Sequence, residues 1–194
     1  EIDYLEQGAG LIGYAPEQWI LDRAMDYFWT KPFSNHSGIH MIAIVDQKIP
    51  WSVFDKNGDY KMSFSECDAL YTDRNYFDRV GWKYCVFGNE FDDSVWILGR
   101  STVGGNVMGI AMWSIFLYTL MAVITIGEHA GASLVVFLHE LGHTIGMIDY
   151  DEKGNEKYCD DLGCAMATVT PINILGFAHE NINYCEHHWS QINL

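Results

Sequence analysis

The chain has 194 residues, 49% of them hydrophobic, with seven Trp, eleven Tyr and ten Phe. That is enough apolar surface for one buried core and excludes a wholly disordered chain. Against 26 acidic residues stand 11 basic ones, a formal net charge of −15, which argues against wrapping nucleic acid or docking on anionic lipid, because both reward a positive surface.

In chain order, Pro16 stands at a first-turn position, and Trp19, Ile20, Arg23, Tyr27 and Phe28 fall near helical spacing, which predicts a helix to Trp29. Ile39 to Val45 reads as a central strand and Ile49 to Phe54 as a second, followed by the turn Asp55-Lys56-Asn57-Gly58. Residues 61–80 carry no clear period. Tyr84 to Phe87 and Val95 to Leu98 are further strand candidates.

Ser101 to Gly127 has no charged side chain, and its apolar part, Val107 to Ile126, is long enough to raise a membrane span. Ser114, Thr119 and Thr125 interrupt it, Gly104-Gly105-Asn106 reads as a turn, and Ala122 to Ile126 suits a buried strand. Two short strands joined by a loop are the favoured reading. From Ser133 to Thr144 the pattern turns helical, and Gly146 is the expected terminator. The expected organisation is one domain, 1–194, with an upper α/β part over 1–145 and a small irregular lower part over 146–194.

On that helix, His139 and His143 lie four apart and share a face, so both imidazoles can meet one ion. Glu140 follows the first His, close enough to reach a metal-bound water without being a ligand, which is the HExxH arrangement of zinc peptidases. The stretch continues to Gly146 and Asp149. A glycine can adopt the left-handed turn that brings the chain back, and Asp149 could then supply an oxygen ligand.

The run His139-Glu140-Leu141-Gly142-His143-Thr144-Ile145-Gly146-Met147-Ile148-Asp149 resembles the HExxHxxGxxH/D signature of the metzincin clan of zinc endopeptidases. The resemblance implies a zincin-type α/β (α+β) fold, with a mixed twisted sheet and long helices. It implies a catalytic Zn²⁺ held by His139, His143 and Asp149, with Glu140 as proton acceptor. It also implies a Met turn beneath the metal, best matched by Met166 with Met147 as competitor. Thr168 stands where some members place a Tyr. The substrate-binding edge strand would be Gly109-Ile110-Ala111-Met112-Trp113, and Met121 to Gly127 the strand before the zinc helix.

The tail carries Cys159-x4-Cys164-x20-Cys185-x2-His188, a soft donor set suited to a closed structural zinc site. Archaemetzincins, to which this tail is similar, carry a comparable second zinc. Their Cys before the Met turn corresponds to Cys164, and their terminal CxxC to Cys185 with His188. Their first Cys follows the third ligand directly, where Tyr150 stands here, and Cys159 comes later. Disulfides remain the alternative, pairing Cys159 or Cys164 with Cys185 and Cys67 with Cys85; His187 is the alternative fourth ligand.

Asp149, Asp151 and Gly154 fall at positions 1, 3 and 6 of a calcium loop, but Lys153 and Asp160 are wrong at 5 and 12, and Asp55 to Asp59 is too short a match. A solvated turn is favoured at both. No basic, apolar leader opens the chain, and Asn35-His36-Ser37 fits a glycosylation sequon. Secretion or a cell-surface location for a processed form, and a cytoplasmic one for a zinc-binding cysteine cluster, both stand open. The expected activity is peptide hydrolysis by a monomer, with a peptide or protein substrate and no nucleic acid or strong membrane association. A zinc-stabilised binding or structural module without turnover is the alternative.

Overall fold

The computed structural model describes residues 1–6, 14–31, 38–73, 81–126, 131–161, 163–167 and 183–192. The sequon and Thr168 lie outside them. A five-stranded sheet forms the frame, in the order β2 (Val45–Ile49), β1 (Ile2–Leu5), β3 (Tyr84–Gly88), β5 (Val107–Ala111), β4 (Gly99–Ser101). The first four strands run parallel, and β4 pairs antiparallel with β5 through Arg100↔Gly109. This is the mixed α/β architecture expected from the sequence.

Parallel strands need cover on both faces, and the inner ones are correspondingly apolar. Every residue of β3 and β5 is buried. Helix α5 (Ala132–Thr144) covers one face, where Phe137 stacks on Phe87 with ring centroids 6.1 Å apart. Helix α3 (Phe64–Asp73) covers the other, where a Cβ on Gly109 would lie 3.3 Å from Cys67 Sγ. Helix α1 (Gln18–Thr30) matches the expected first helix and packs on α5.

Several local expectations are corrected. Strand β2 begins where the predicted central strand ends, and it lies at the sheet edge with Val45 to Lys48 exposed. Its Val-Asp-Gln-Lys-Ile sequence offers no apolar alternation, because only one residue of it is buried. Trp51–Phe54 is a short helix, α2, rather than a strand, and Val95 to Leu98 forms no strand. The uncharged run is one strand and one helix: β5, then α4 (Met112–Ile126). Uniform apolarity carries neither period, so tertiary packing chose the helix. Among the described residues no helix is long and apolar enough to cross a membrane.

The lower part turns on Gly146, whose φ is +94°. Its N–H donates to His143 O and that of Met147 to Gly142 O, at 3.0 and 2.9 Å, the paired bonds of a Schellman ending. Lys83 Nζ donates to Thr144 O at 2.7 Å, placing a cation on the last helical carbonyls. A two-stranded hairpin follows, β6 (Asp149–Tyr150) with β7 (Glu156–Lys157). The closing helix Glu186–Ser190 is seated by Trp189 and the neighbouring Tyr184 against Tyr27 and Phe28 of α1. Tyr184 Oη also donates to Leu138 O, which ties the tail to α5.

Candidate metal centre

Helix α5 presents its two histidines one turn apart, and each ring is fixed from behind. His139 Nδ1 lies 2.8 Å from Ala165 O, and His143 Nδ1 lies 3.0 Å from Met147 O. Carbonyl oxygens only accept, so each ring carries its proton on Nδ1 and leaves Nε2 bare. The two bare nitrogens are 3.2 Å apart. Two converging lone pairs repel unless a cation lies between them, so this donor set fits a metal ion. Burial pushes the His139 pKa down to about 4, helped by His143, and burial lowers that of His143. Both therefore stay neutral near pH 7, as ligation requires.

Glu140 is 7% exposed and lies on the same wall of the cleft. Burial raises its carboxyl pKa to about 7, opposed by the hydrogen bond that Ser101 Oγ donates to Oε2 at 2.5 Å and by Arg100. Ser101 belongs to β4, an edge strand of the sheet, so the strand beside the cleft fixes the carboxylate. Gly99 on the same strand leaves it room: a Cβ there would lie 2.6 Å from Glu140 Cγ. The cleft measures about 700 Å³. A separate apolar cavity of about 370 Å³ under residues 39–44 is lined by none of His139, His143 and Glu140.

The predicted substrate strand is corrected. Gly109, Ile110 and Ala111 lie in β5, paired on both sides by β3 and β4, while Met112 and Trp113 open α4. A doubly paired strand has no free backbone edge to offer. Gly99, Arg100 and Ser101 hold that edge position. Neither Ser101 nor β4 was legible from Gly-Arg-Ser, which has no strand pattern; only the pairing with β5 reveals it.

Asp149 lines the cleft, but its carboxylate faces other partners. Oδ1 is 2.8 Å from His187 Nε2, and Oδ2 is 3.4 Å from His188 Nε2. Among the described residues, no group of three ligand atoms within 4.8 Å joins Asp149 to His139 and His143. Met166 is buried and lines the cleft, and a Cβ on Gly142 would overlap its sulfur. Met147 Sδ lies 3.3 Å from the same point. Tyr158, which no sequence signal singled out, sets its ring 5.9 Å from that of His139.

The second set converges as a group. The ligand atoms of Cys159, Cys164, Cys185 and His188 all lie within 4.8 Å of one another. Cys159 Sγ and Cys185 Sγ are 3.9 Å apart, close to the ~3.8 Å that a tetrahedral ion with ~2.3 Å Zn–S bonds imposes. All five cysteines are free thiols, with Cys67 and Cys85 buried in the core. His188 Nδ1 lies 3.0 Å from Cys185 Sγ and 3.5 Å from Cys164 Sγ, whereas His187 is turned to Asp149. A Cys₃His set of this spacing could hold a metal ion.

No protein-family model and no curated protein matches this chain. Several solved structures share its fold, two archaemetzincins among them. One is archaemetzincin from Methanopyrus kandleri, at 13% identity and a TM-score of 0.55, with 97% of this chain and 90% of that chain covered. The other is archaemetzincin from Archaeoglobus fulgidus complexed with malonate, at 12% identity and a TM-score of 0.51, with 98% of both chains covered.

Proposed function

We propose that this chain is a zinc-dependent endopeptidase, with His139 and His143 as ligands of the catalytic ion, Asp149 as the third ligand and Glu140 as the catalytic proton carrier. The carrying observation is the pair of bare Nε2 atoms 3.2 Å apart, with both Nδ1 protons engaged by backbone carbonyls. The archaemetzincin fold supports the assignment at the level of architecture.

When bound, zinc supplies Lewis-acid polarisation of the scissile carbonyl and lowers the pKa of a bound water. Glu140 accepts a proton from the attacking water and delivers it to the departing amine, at a pKa that burial has already moved toward neutrality. Ser101 holds Glu140 Oε2 in one orientation through that exchange. An extended substrate adds its backbone to β4, the edge of the sheet, and runs across the cleft beside α5. Met166 forms the floor beneath the histidines. Cys159, Cys164, Cys185 and His188 hold a second, structural zinc.

A module that binds zinc without turnover is the second reading. It is favoured by the engagement of Asp149 with His187 and His188. Peptide cleavage by purified protein, abolished by a chelator and restored by zinc, separates the two. Absence of cleavage in the zinc-restored protein rejects the peptidase.

A further inference from the structure

The turn after α2 does not end at Asp59. We infer that residues 55–66 form a single calcium site of the EF-hand type, independent of both zinc centres. Counted from Asp55, the residues are Asp55 at position 1, Asn57 at 3, Asp59 at 5, Ser63 at 9 and Glu66 at 12. Position 7 is Lys61, where the loop uses only the main-chain carbonyl. The register sets this segment apart from ordinary surface acidity. Glu1, Asp3 and Asp46 approach one another, but they come from the start of β1 and from β2 and follow no calcium-loop spacing.

The surroundings agree with the register at each special position. The loop joins α2 to α3, so helices flank it. Position 6 demands a left-handed backbone and is normally Gly. Tyr60 occupies it with φ 59°, the one non-glycine residue with positive φ among those described. Position 8 is the buried Met62, whose backbone bridges to Phe91, with Met62 N–H donating to Glu90 O and Asp92 N–H to Met62 O. Glu66 lies in the first turn of α3 and its carboxylate reaches back over the loop. Oε1 accepts the Lys56 N–H at 3.0 Å and Oε2 the Ser63 N–H at 3.0 Å. Both oxygens of the position-12 carboxylate are therefore turned toward the loop, as bidentate ligation of a large hard cation requires.

The ligand set contains three carboxylates, an amide, a hydroxyl and a carbonyl, all oxygen, which selects Ca²⁺ over zinc. The bridge at Met62 fastens the loop to the segment that leads from β3 to β4, so calcium would stiffen the approach to the strand beside the cleft.

The test is a calorimetric titration of calcium chloride into the zinc-loaded full chain, repeated on variants with circular dichroism as a check of folding. One calcium per chain is expected. Glu66→Gln and Asp55→Asn should each weaken binding by at least about tenfold, because each removes a ligand charge. Lys61→Ala should leave affinity within about twofold, since only the backbone oxygen of position 7 is used. Tyr60→Gly should bind at least as tightly, because the left-handed position no longer carries a Cβ. No calcium uptake up to millimolar concentration overturns the inference, as does wild-type affinity in both the folded Glu66→Gln and Asp55→Asn proteins.

Discussion

Asp149 and His188 face each other between the two candidate centres, with Oδ2 3.4 Å from Nε2, while the opposite ring nitrogen of His188 lies 3.0 Å from Cys185 Sγ. His188 is 1% exposed, and among the described residues its Nε2 makes no hydrogen bond. A metal-ligating histidine ordinarily gives its second N–H to a carboxylate, which orients the ring and strengthens it as a ligand. One carboxylate thus lines the cleft while facing a ring of the cysteine set.

Replacing Asp149 by Ala should therefore loosen metal at the cysteine set as well as in the cleft. The expected loss of affinity at the cysteines is about 10- to 100-fold. It can be read in cobalt-substituted protein from the thiolate-to-metal absorption band. An unchanged band and affinity would remove the link between the centres. Unchanged zinc content in the cleft would remove Asp149 from the ligands there.

Glu140→Gln should retain metal in the cleft, because the ligating nitrogens are untouched, and lose about 10²- to 10⁴-fold in the rate of peptide cleavage. Metal analysis beside a peptide-cleavage assay checks both halves. Cleavage at the original rate would reject Glu140 as the proton carrier.

Gly99→Ala probes the same carboxylate from the strand opposite. Its Cβ would lie 2.6 Å from Glu140 Cγ and 2.7 Å from Oε1, so the side chain must move off Ser101. Activity should fall at least about tenfold, since small misplacements of a reacting group are costly. The melting temperature should change little, since β4 lies at the edge of the sheet. Equal activity would show that Glu140 does not need that position.

Gly146→Ala places a Cβ on a residue with φ +94°, at a cost of about 1–2 kcal/mol. Denaturant unfolding should register that loss. Because the paired bonds to His143 and Gly142 close α5, which carries both histidines, metal affinity in the cleft should fall with it. Stability equal to the parent chain would contradict the reading of the turn.

Some of this was written locally. The spacing of His139, Glu140 and His143 dictates a shared helix face wherever the helix lies, and a glycine at 146 is the residue that ends such a helix with a left-handed turn. The cysteine spacings likewise announce a soft donor set, with disulfides as the alternative, and the fold brings the four ligand atoms together as a group that could hold a metal ion. The 12-residue spacing from Asp55 to Glu66 is also carried by the sequence, but the Tyr at its sixth position hides it, because only the fold shows that residue in the left-handed conformation that position needs.

By itself, then, the sequence determined the donor chemistry of this protein: two imidazoles and an acid on one helix, three thiols and an imidazole in the tail. Tertiary structure alone decided what surrounds them. It made β5 an inner strand and gave the edge to Gly99–Ser101, whose residues have no strand pattern of their own. It turned the uniformly apolar run after Ala111 into a helix, and it set Asp149 against His188 rather than against the paired nitrogens of α5. The physical reason is one of range. Helix periodicity and turn chemistry act over a few residues, whereas strand order and the partner of a carboxylate depend on segments tens of residues apart that meet only when the core closes.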